Sequence, residues 1–261
     1  MLAREEPAGV ISLHPDSTPP VESSASTASV GIYIPAIELP EPQQDIAMDM
    51  IACVVYNGAV YTQSERIEDA EGLLGDYLGR ATGGIDEWSD SSEYEVEFAG
   101  TEVGEVYTVV GYDPDFRICC MQEDGSAMLL ERLNGITLDT GADLFADRLH
   151  LPGGWDAVSY LTHYDWNYET WDSLRELDLP EETVAAFLDE LCSANFEYVW
   201  TGTYPNIYDS TVQGHLYFSM ADGTTVPLRL IEGGYVGYEN LGWYFVKMPG
   251  ETFDTVLAAC T

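Results

Sequence analysis

Closely spaced turn signals limit what this chain can become. Between Gly104 and Leu151 the sequence is cut by Asp113-Pro114-Asp115, Glu123-Asp124-Gly125-Ser126 and Asn134-Gly135. Proline and acidic residues start turns, and Asp-Gly and Asn-Gly supply the positive-φ positions of tight hairpins. The runs between them, Val106–Tyr112, Phe116–Met121 and Met128–Leu133, are rich in β-branched, aromatic and large apolar residues, which suit a pleated, half-buried surface. A helix needs longer uninterrupted periodicity, so the stretch reads as an antiparallel meander of about four strands, closing on Ile136-Thr137-Leu138. Gly141–Asp147 is expected to form one helical turn. Asp147–Leu151 alternates as a strand, with Leu149 and Leu151 on one face and Arg148 and His150 on the other.

The flanks extend the pattern. Residues 1–44 hold Ser17-Thr18-Pro19-Pro20, a Ser/Ala/Thr run over 23–29, and Pro35, Pro40 and Pro42, the composition of a disordered tether. Asn57-Gly58 predicts a hairpin between Met50–Tyr56 and Ala59–Thr62, and Ser64 is placed to cap a short helix over Ile67 and Ala70. Strands are expected over Asp76–Thr82, Tyr94–Phe98 and Trp155–Thr162. Asp165–Asp172 reads as an acidic loop crowded with Trp166, Tyr168 and Trp171. Past Pro180, Val184, Phe187, Leu188, Leu191 and Cys192 form one apolar stripe at helical spacing. Strands then follow over 215–220, 225–231, 234–238 and 243–248, with Pro227 directing the second toward a sheet edge, and a last helix carries Phe253, Val256, Leu257 and Cys260. The expected fold is α+β: mainly antiparallel β meanders with a few short helices. It divides into a tether (1–44), a β-rich domain (45–175) and a smaller helix-sheet-helix unit (176–261).

Charge excludes whole classes of function. The 261 residues carry 46 acids against 9 bases, a net charge of -37, with Lys247 the only lysine. Such a field repels phosphate backbones and anionic lipid, so neither nucleic acid nor an anionic membrane surface is an expected partner. No apolar run reaches the roughly 18 residues of a membrane helix. The start, Met1-Leu-Ala-Arg-Glu-Glu, has no signal-peptide pattern, so any anchor is expected to lie outside this sequence. A salt-adapted cytoplasm would also explain the acid excess.

No GxSxG, Walker loop, HExxH or GxGxxG occurs. The candidates are therefore constellations. His163 and Asp165, beside Trp166, could serve as a base and its orienting acid, though no nucleophile accompanies them. Arg148 and His150 form a second polar pair suited to an anion. Trp155, Trp166 and Trp171 can stack on sugar rings or pack between domains. Asp113, Asp115 and Asp124 can approach one another at one edge of the meander as oxygen ligands for calcium, without the EF-hand spacing. In each case ordinary packing or a solvated acidic turn is the commoner use. The five cysteines include Cys119 and Cys120, which a strand points to opposite faces. All five suit buried small residues; a Cys192–Cys260 disulfide is possible in an oxidising compartment, but sequence alone does not pair the cysteines.

The segments Tyr-Asp-Pro-Asp-Phe (112–116), Asn-Gly-Ile-Thr-Leu (134–138), Asp-Leu-Phe-Ala-Asp-Arg-Leu-His-Leu (143–151) and Val-Ser-Tyr-Leu-Thr-His-Tyr-Asp-Trp (158–166) resemble uncharacterised extracytoplasmic domains of gut Gram-positive bacteria. Some of these sit behind a membrane anchor in lipoproteins or anti-sigma-factor-like proteins. The resemblance spans roughly residues 45–260 and implies a location and a class, with no chemistry. The expected function is a non-catalytic extracytoplasmic sensor or interaction domain. It would be monomeric, cofactor-free and tethered through an anchor, with a protein or cell-surface ligand as partner. The alternative is a cell-envelope hydrolase using paired carboxylates.

Overall fold

The computed structural model describes residues 31–38, 51–85, 95–199 and 206–261. Its strands in chain order are β1 (Ile32–Ile34), β2 (Cys53–Tyr56), β3 (Ala59–Ile67), β4 (Leu74–Gly84), β5 (Ala99–Gly100), β6 (Val103–Val109), β7 (Arg117–Met121), β8 (Ala127–Glu131) and β9 (Ile136–Leu138). Then come β10 (Trp155–Thr162), helix α1 (His163–Asn167), β11 (Arg175–Glu176), helix α2 (Glu181–Ser193), β12 (Phe196–Tyr198), β13 (Gln213–Met220), β14 (Thr225–Ile231), β15 (Tyr235–Tyr238), β16 (Tyr244–Lys247) and helix α3 (Glu251–Ala259). The protein is β-rich and its pairings are antiparallel, apart from the two-residue contact of β4 with β5.

The first sheet is not an open meander. It closes into a barrel in the order β2-β3-β8-β7-β6-β4-β5. Closure depends on β5, where Val54 pairs with Gly100. A Cβ at Gly100 would stand 2.2 Å from the Cys53 carbonyl oxygen, so only glycine lets the walls meet. Tyr61, Val106, Ile118, Cys120 and Leu130 fill the interior. Cys119 and Leu129 point outward into the main core, so the two neighbouring cysteines do face opposite ways, and β7 and β8 are buried on both sides.

The second sheet has the order β11-β10-β13-β14-β15-β16-β12. The side chains of Leu216, Phe218, Leu228, Leu230, Val236 and Val246 on one face share a continuous core with α2, α3 and the outside of the barrel. Pro180 leads into α2, Glu181 and Glu182 occupy its first turn near the positive end of the dipole, and Val184, Phe187, Leu188 and Leu191 are buried as their spacing requires. Truncating fully buried Leu191 to alanine removes a packed side chain at a cost of about 2–5 kcal/mol.

Several expectations are corrected. Ser64 lies inside β3, donating to the Leu129 carbonyl, and caps no helix. The strand expected at Tyr94–Phe98 is a turn over its described residues 95–98, with Phe98 at φ +61°; Tyr94 lies outside them. Asp147–Leu151 is no strand either: Asp147–Leu149 is a turn and His150 follows at φ +53°, although Leu149 and Leu151 are both buried. The acidic loop contains α1 and a 3-10 turn at Trp171–Ser173. Within the tether, β1 pairs with β9, its Ile34 is buried, and Asn134 accepts from the Ile37 amide; the rest of 1–44 lies outside the described residues. The boundary expected at 175/176 falls within the second sheet, because β10 pairs with β13.

Pro227 is in the central strand of seven, not at an edge. It sits opposite Tyr217, and beyond it β15 has ended: Leu228 pairs with Tyr238, after which the chain turns away through Glu239–Leu241. The missing N–H therefore costs no ladder bond on that side.

Polar contacts fix the barrel on the sheet. Arg117 and Glu131, both fully buried, pair with Nη2 to Oε1 at 2.6 Å and Nε to Oε1 at 3.2 Å. The Tyr238 hydroxyl donates to the same carboxylate at 3.0 Å. Burial opposes the charge on Arg117, but Glu131, Tyr238 and Tyr112 around it outweigh that and hold its pKa above the usual value. Glu65 accepts from the Thr225 amide at 2.9 Å, and Tyr112 donates to Asp222 at 2.7 Å.

Candidate functional site

The second face of the C-terminal sheet carries a cross-strand row: Leu161 on β10, His215 on β13, Arg229 on β14, Gly237 on β15 and Phe245 on β16. Directly paired residues share a face, so these five positions cross the sheet side by side. Two aromatic residues from outside the row cover it. Thr162 caps α1 by accepting from the Asp165 amide. The Asp165 carboxylate accepts from Thr162, Thr170 and Arg175. This folds α1 over β13 and lays Trp166 flat on His215, with ring centroids 4.4 Å apart and planes 6° apart. From the other side Tyr208, in a 3-10 turn capped by Asn206, is held by its hydroxyl on the Gly242 carbonyl at 2.5 Å.

Arg229 lies between these rings, its Cζ 4.8 Å from the Trp166 centroid and 4.5 Å from that of Tyr208. Each such contact contributes roughly 0.5–2 kcal/mol in partly desolvated surroundings. Its Nε donates to Gln213 Oε1 at 2.7 Å, and Gln213 is itself fixed by donating to the carbonyls of Tyr208 and Ser210. Burial lowers the Arg229 pKa against the opposing pull of Tyr208 and Glu239, from a value so high that the guanidinium stays charged. Neither Nη takes part in a hydrogen bond among the described residues.

Arg229 lines a cleft of about 300 Å³ together with Trp166, Tyr208, Gly237, Tyr238, Glu239, Asn240, Gly242 and Phe245. The cleft opens where β15 leaves the sheet. Gly237 keeps its floor low, because a Cβ there would stand 2.8 Å from the Phe245 ring. Glu239 is at the rim, its Oε1 3.6 Å from His215 Nδ1, too long for a hydrogen bond. Burial lowers the pKa of fully buried His215 despite that carboxylate, so its imidazole is neutral near pH 7. Asn240 Nδ2 lies 3.5 Å from Glu131 Oε2, which links the cleft to the barrel contact.

Of the residues anticipated from sequence, Trp166 lines the cleft and His163 stands behind it, 3.4 Å from His215 ring nitrogen to ring nitrogen. Burial lowers the His163 pKa too. Asp165 does not orient His163; it is occupied in shaping α1. Trp171 is 56% exposed and meets Tyr217 edge-on. Trp155 packs edge-on against Phe218 at the main core. Arg148 donates to the Asp143 carbonyl, and exposed His150 stacks on Tyr112, so this pair is not brought to the cleft.

Nor do Asp113, Asp115 and Asp124 converge on an ion. Asp113 accepts from the Asp115 amide, and Asp124 accepts from Ser126 and pairs with Arg66. Among the described residues no three His, Cys, Asp or Glu side chains form a group able to hold a metal. All five cysteines are free thiols.

Sequence reasoning missed Tyr208, Gln213, His215, Arg229, Glu239 and Asn240. The available signal was Arg229 itself, a lone cation between Leu228 and Leu230 in a chain with only nine basic residues. Comparison with family models, curated proteins and solved structures gives no match.

Proposed function

We propose that this chain is a non-catalytic binding module, a sensor or interaction domain that works outside the cytoplasm behind an anchor, and that it recognises its ligand in the Arg229 cleft. The observation that carries this reading is the arginine itself. Two aromatic rings pack against its guanidinium and its Nε is tied to Gln213, while its Nη donors form no hydrogen bond among the described residues and the side chain lines the cleft. A guanidinium prepared in this way loses little freedom on binding and offers a planar fork to an oxyanion. The tether-like composition of 1–44, the acidity and the resemblance of residues 112–166 support the extracytoplasmic, anchored setting. The paired-carboxylate hydrolase is less well supported. Among the described residues Glu239 is the one carboxylate lining the cleft, and retaining or inverting chemistry needs two, held about 5–10 Å apart.

The test is thermal unfolding of wild type and Arg229→Gln with a panel of small anionic, cationic, zwitterionic and neutral saccharide solutes. At about 100 times its Kd a true ligand adds roughly 2.7 kcal/mol to the folded state. A solute that raises the wild-type Tm and leaves the variant unmoved is expected. A panel that shifts neither protein, or both equally, refutes the cleft. Fractionation of native cells, with protease added from outside, tests the setting: cleavage at the surface is expected, and a protected cytosolic pool contradicts it.

A further inference from the structure

The cleft holds two opposite charges that no ion pair joins. Arg229 and Glu239 both line it, and Glu239 acts electrostatically on the arginine, yet no contact within 4.0 Å links them. Among the described residues no other cation neutralises Glu239, since neighbouring His215 is neutral near pH 7. We infer that the ligand is a small zwitterion of the free α-amino-acid class, with its carboxylate on the Nη edge of Arg229, its ammonium on Glu239, and an apolar side chain against Tyr208 and Phe245. This deepens the binding-module reading and rests on it.

The alternatives fit less well. A bare anion would meet Glu239 at the rim and a protein of net charge -37 beyond it. A bare cation would meet Arg229. A sugar ring wants a free aromatic face, but Trp166 is stacked on His215 and both Trp166 and Tyr208 pack the guanidinium. A zwitterion inserted between the two side chains satisfies each without adding net charge. Its binding should therefore depend weakly on the protein's overall field. The volume of about 300 Å³ is at the small end for ligand sites and matches a single amino acid better than an extended polymer.

The experiment is isothermal titration calorimetry on the full chain with L-leucine and L-phenylalanine, each as the free amino acid, the N-acetyl derivative and the amide. The free forms are expected to bind. Removing either ligand charge should weaken binding about tenfold or more, because a hydrogen bond to a charged group is lost. Glu239→Gln should abolish the preference for free over N-acetyl forms. Arg229→Gln, checked for folding by circular dichroism, should abolish the preference for free over amide forms. N-acetyl forms that bind as tightly as free ones in an Arg229-dependent way overturn the zwitterion and leave the cleft as an oxyanion site. Silence with all six compounds also overturns the zwitterion, and the cleft itself falls only if the wider solute panel is silent too.

Discussion

Replacing Glu131 with glutamine tests how the two sheets are held together. The carboxylate accepts two bonds from Arg117, at 2.6 and 3.2 Å, and one from Tyr238 at 3.0 Å, and both members of the ion pair are closed to solvent. Glutamine keeps the shape, and its oxygen can still face Arg117. The Tyr238 hydroxyl can turn to accept from the new amide. What cannot be replaced is the negative charge, and Arg117 Nη1 already has no hydrogen-bond partner. The ring of Tyr112, 4.2 Å from the Arg117 Cζ, offsets part of the cost. Removing one partner of a buried pair costs about 3–5 kcal/mol. The Tyr238 and Tyr112 contacts place this case at the low end, about 3 kcal/mol. For a chain of this size that lowers Tm by roughly 6–12 °C. Urea unfolding followed by tryptophan fluorescence measures it, with an unchanged m-value showing that the loss is in stability. The double variant Arg117→Met/Glu131→Leu should recover most of the loss, because no charge is then left unpaired. A loss below about 1 kcal/mol in the single variant, or a double variant no better than the single, would refute the idea that an uncompensated charge is responsible.

Four further outcomes are expected. Gly237→Ala should push the Phe245 ring into the cleft, costing about 1–3 kcal/mol and abolishing ligand binding; calorimetry showing full affinity would contradict the floor assigned to Gly237. His215, whose folded pKa lies below its usual 6.5, contributes stability that is complete above that value and is lost as the pH falls toward the lower folded one. Urea melts of wild type and His215→Gln should therefore converge as the pH falls below 6.5, whatever the rest of the charge does. Calcium added to chelator-treated protein should leave Tm unchanged, and a rise would revive Asp113, Asp115 and Asp124 as ligands. Burial pushes the thiol of Cys192 up to about 11 and those of Cys120 and Cys260 to about 12, so a thiol reagent should titrate five groups on unfolding and almost none before.

What could be read from the sequence followed the range of each interaction. The stripe on α2 and the Asp-Gly hairpins are local, and they were legible. Asp124 and Asp222 build the two Asp-Gly turns alike, each accepting from the amide and hydroxyl two residues on. Barrel closure was not legible, because it depends on the two-residue strand Ala99–Gly100 meeting Val54. Pro227 looked like an edge residue because proline cannot donate to a ladder. It is central because the neighbouring strand stops one residue short of it. Of the candidate site only Trp166, with His163 behind it, was visible, as the aromatic crowding in that loop. Much of the rest arises from cross-strand neighbours, His215 to Arg229 to Gly237, which no linear spacing reveals.

The most direct check is a crystal structure of the chain grown with saturating L-leucine. Density for the amino acid between Arg229 and Glu239, with its carboxylate on the Arg229 Nη atoms and its ammonium on Glu239, is the predicted result. An empty cleft at a concentration that saturates binding in solution, or leucine seated elsewhere on the molecule, would contradict it.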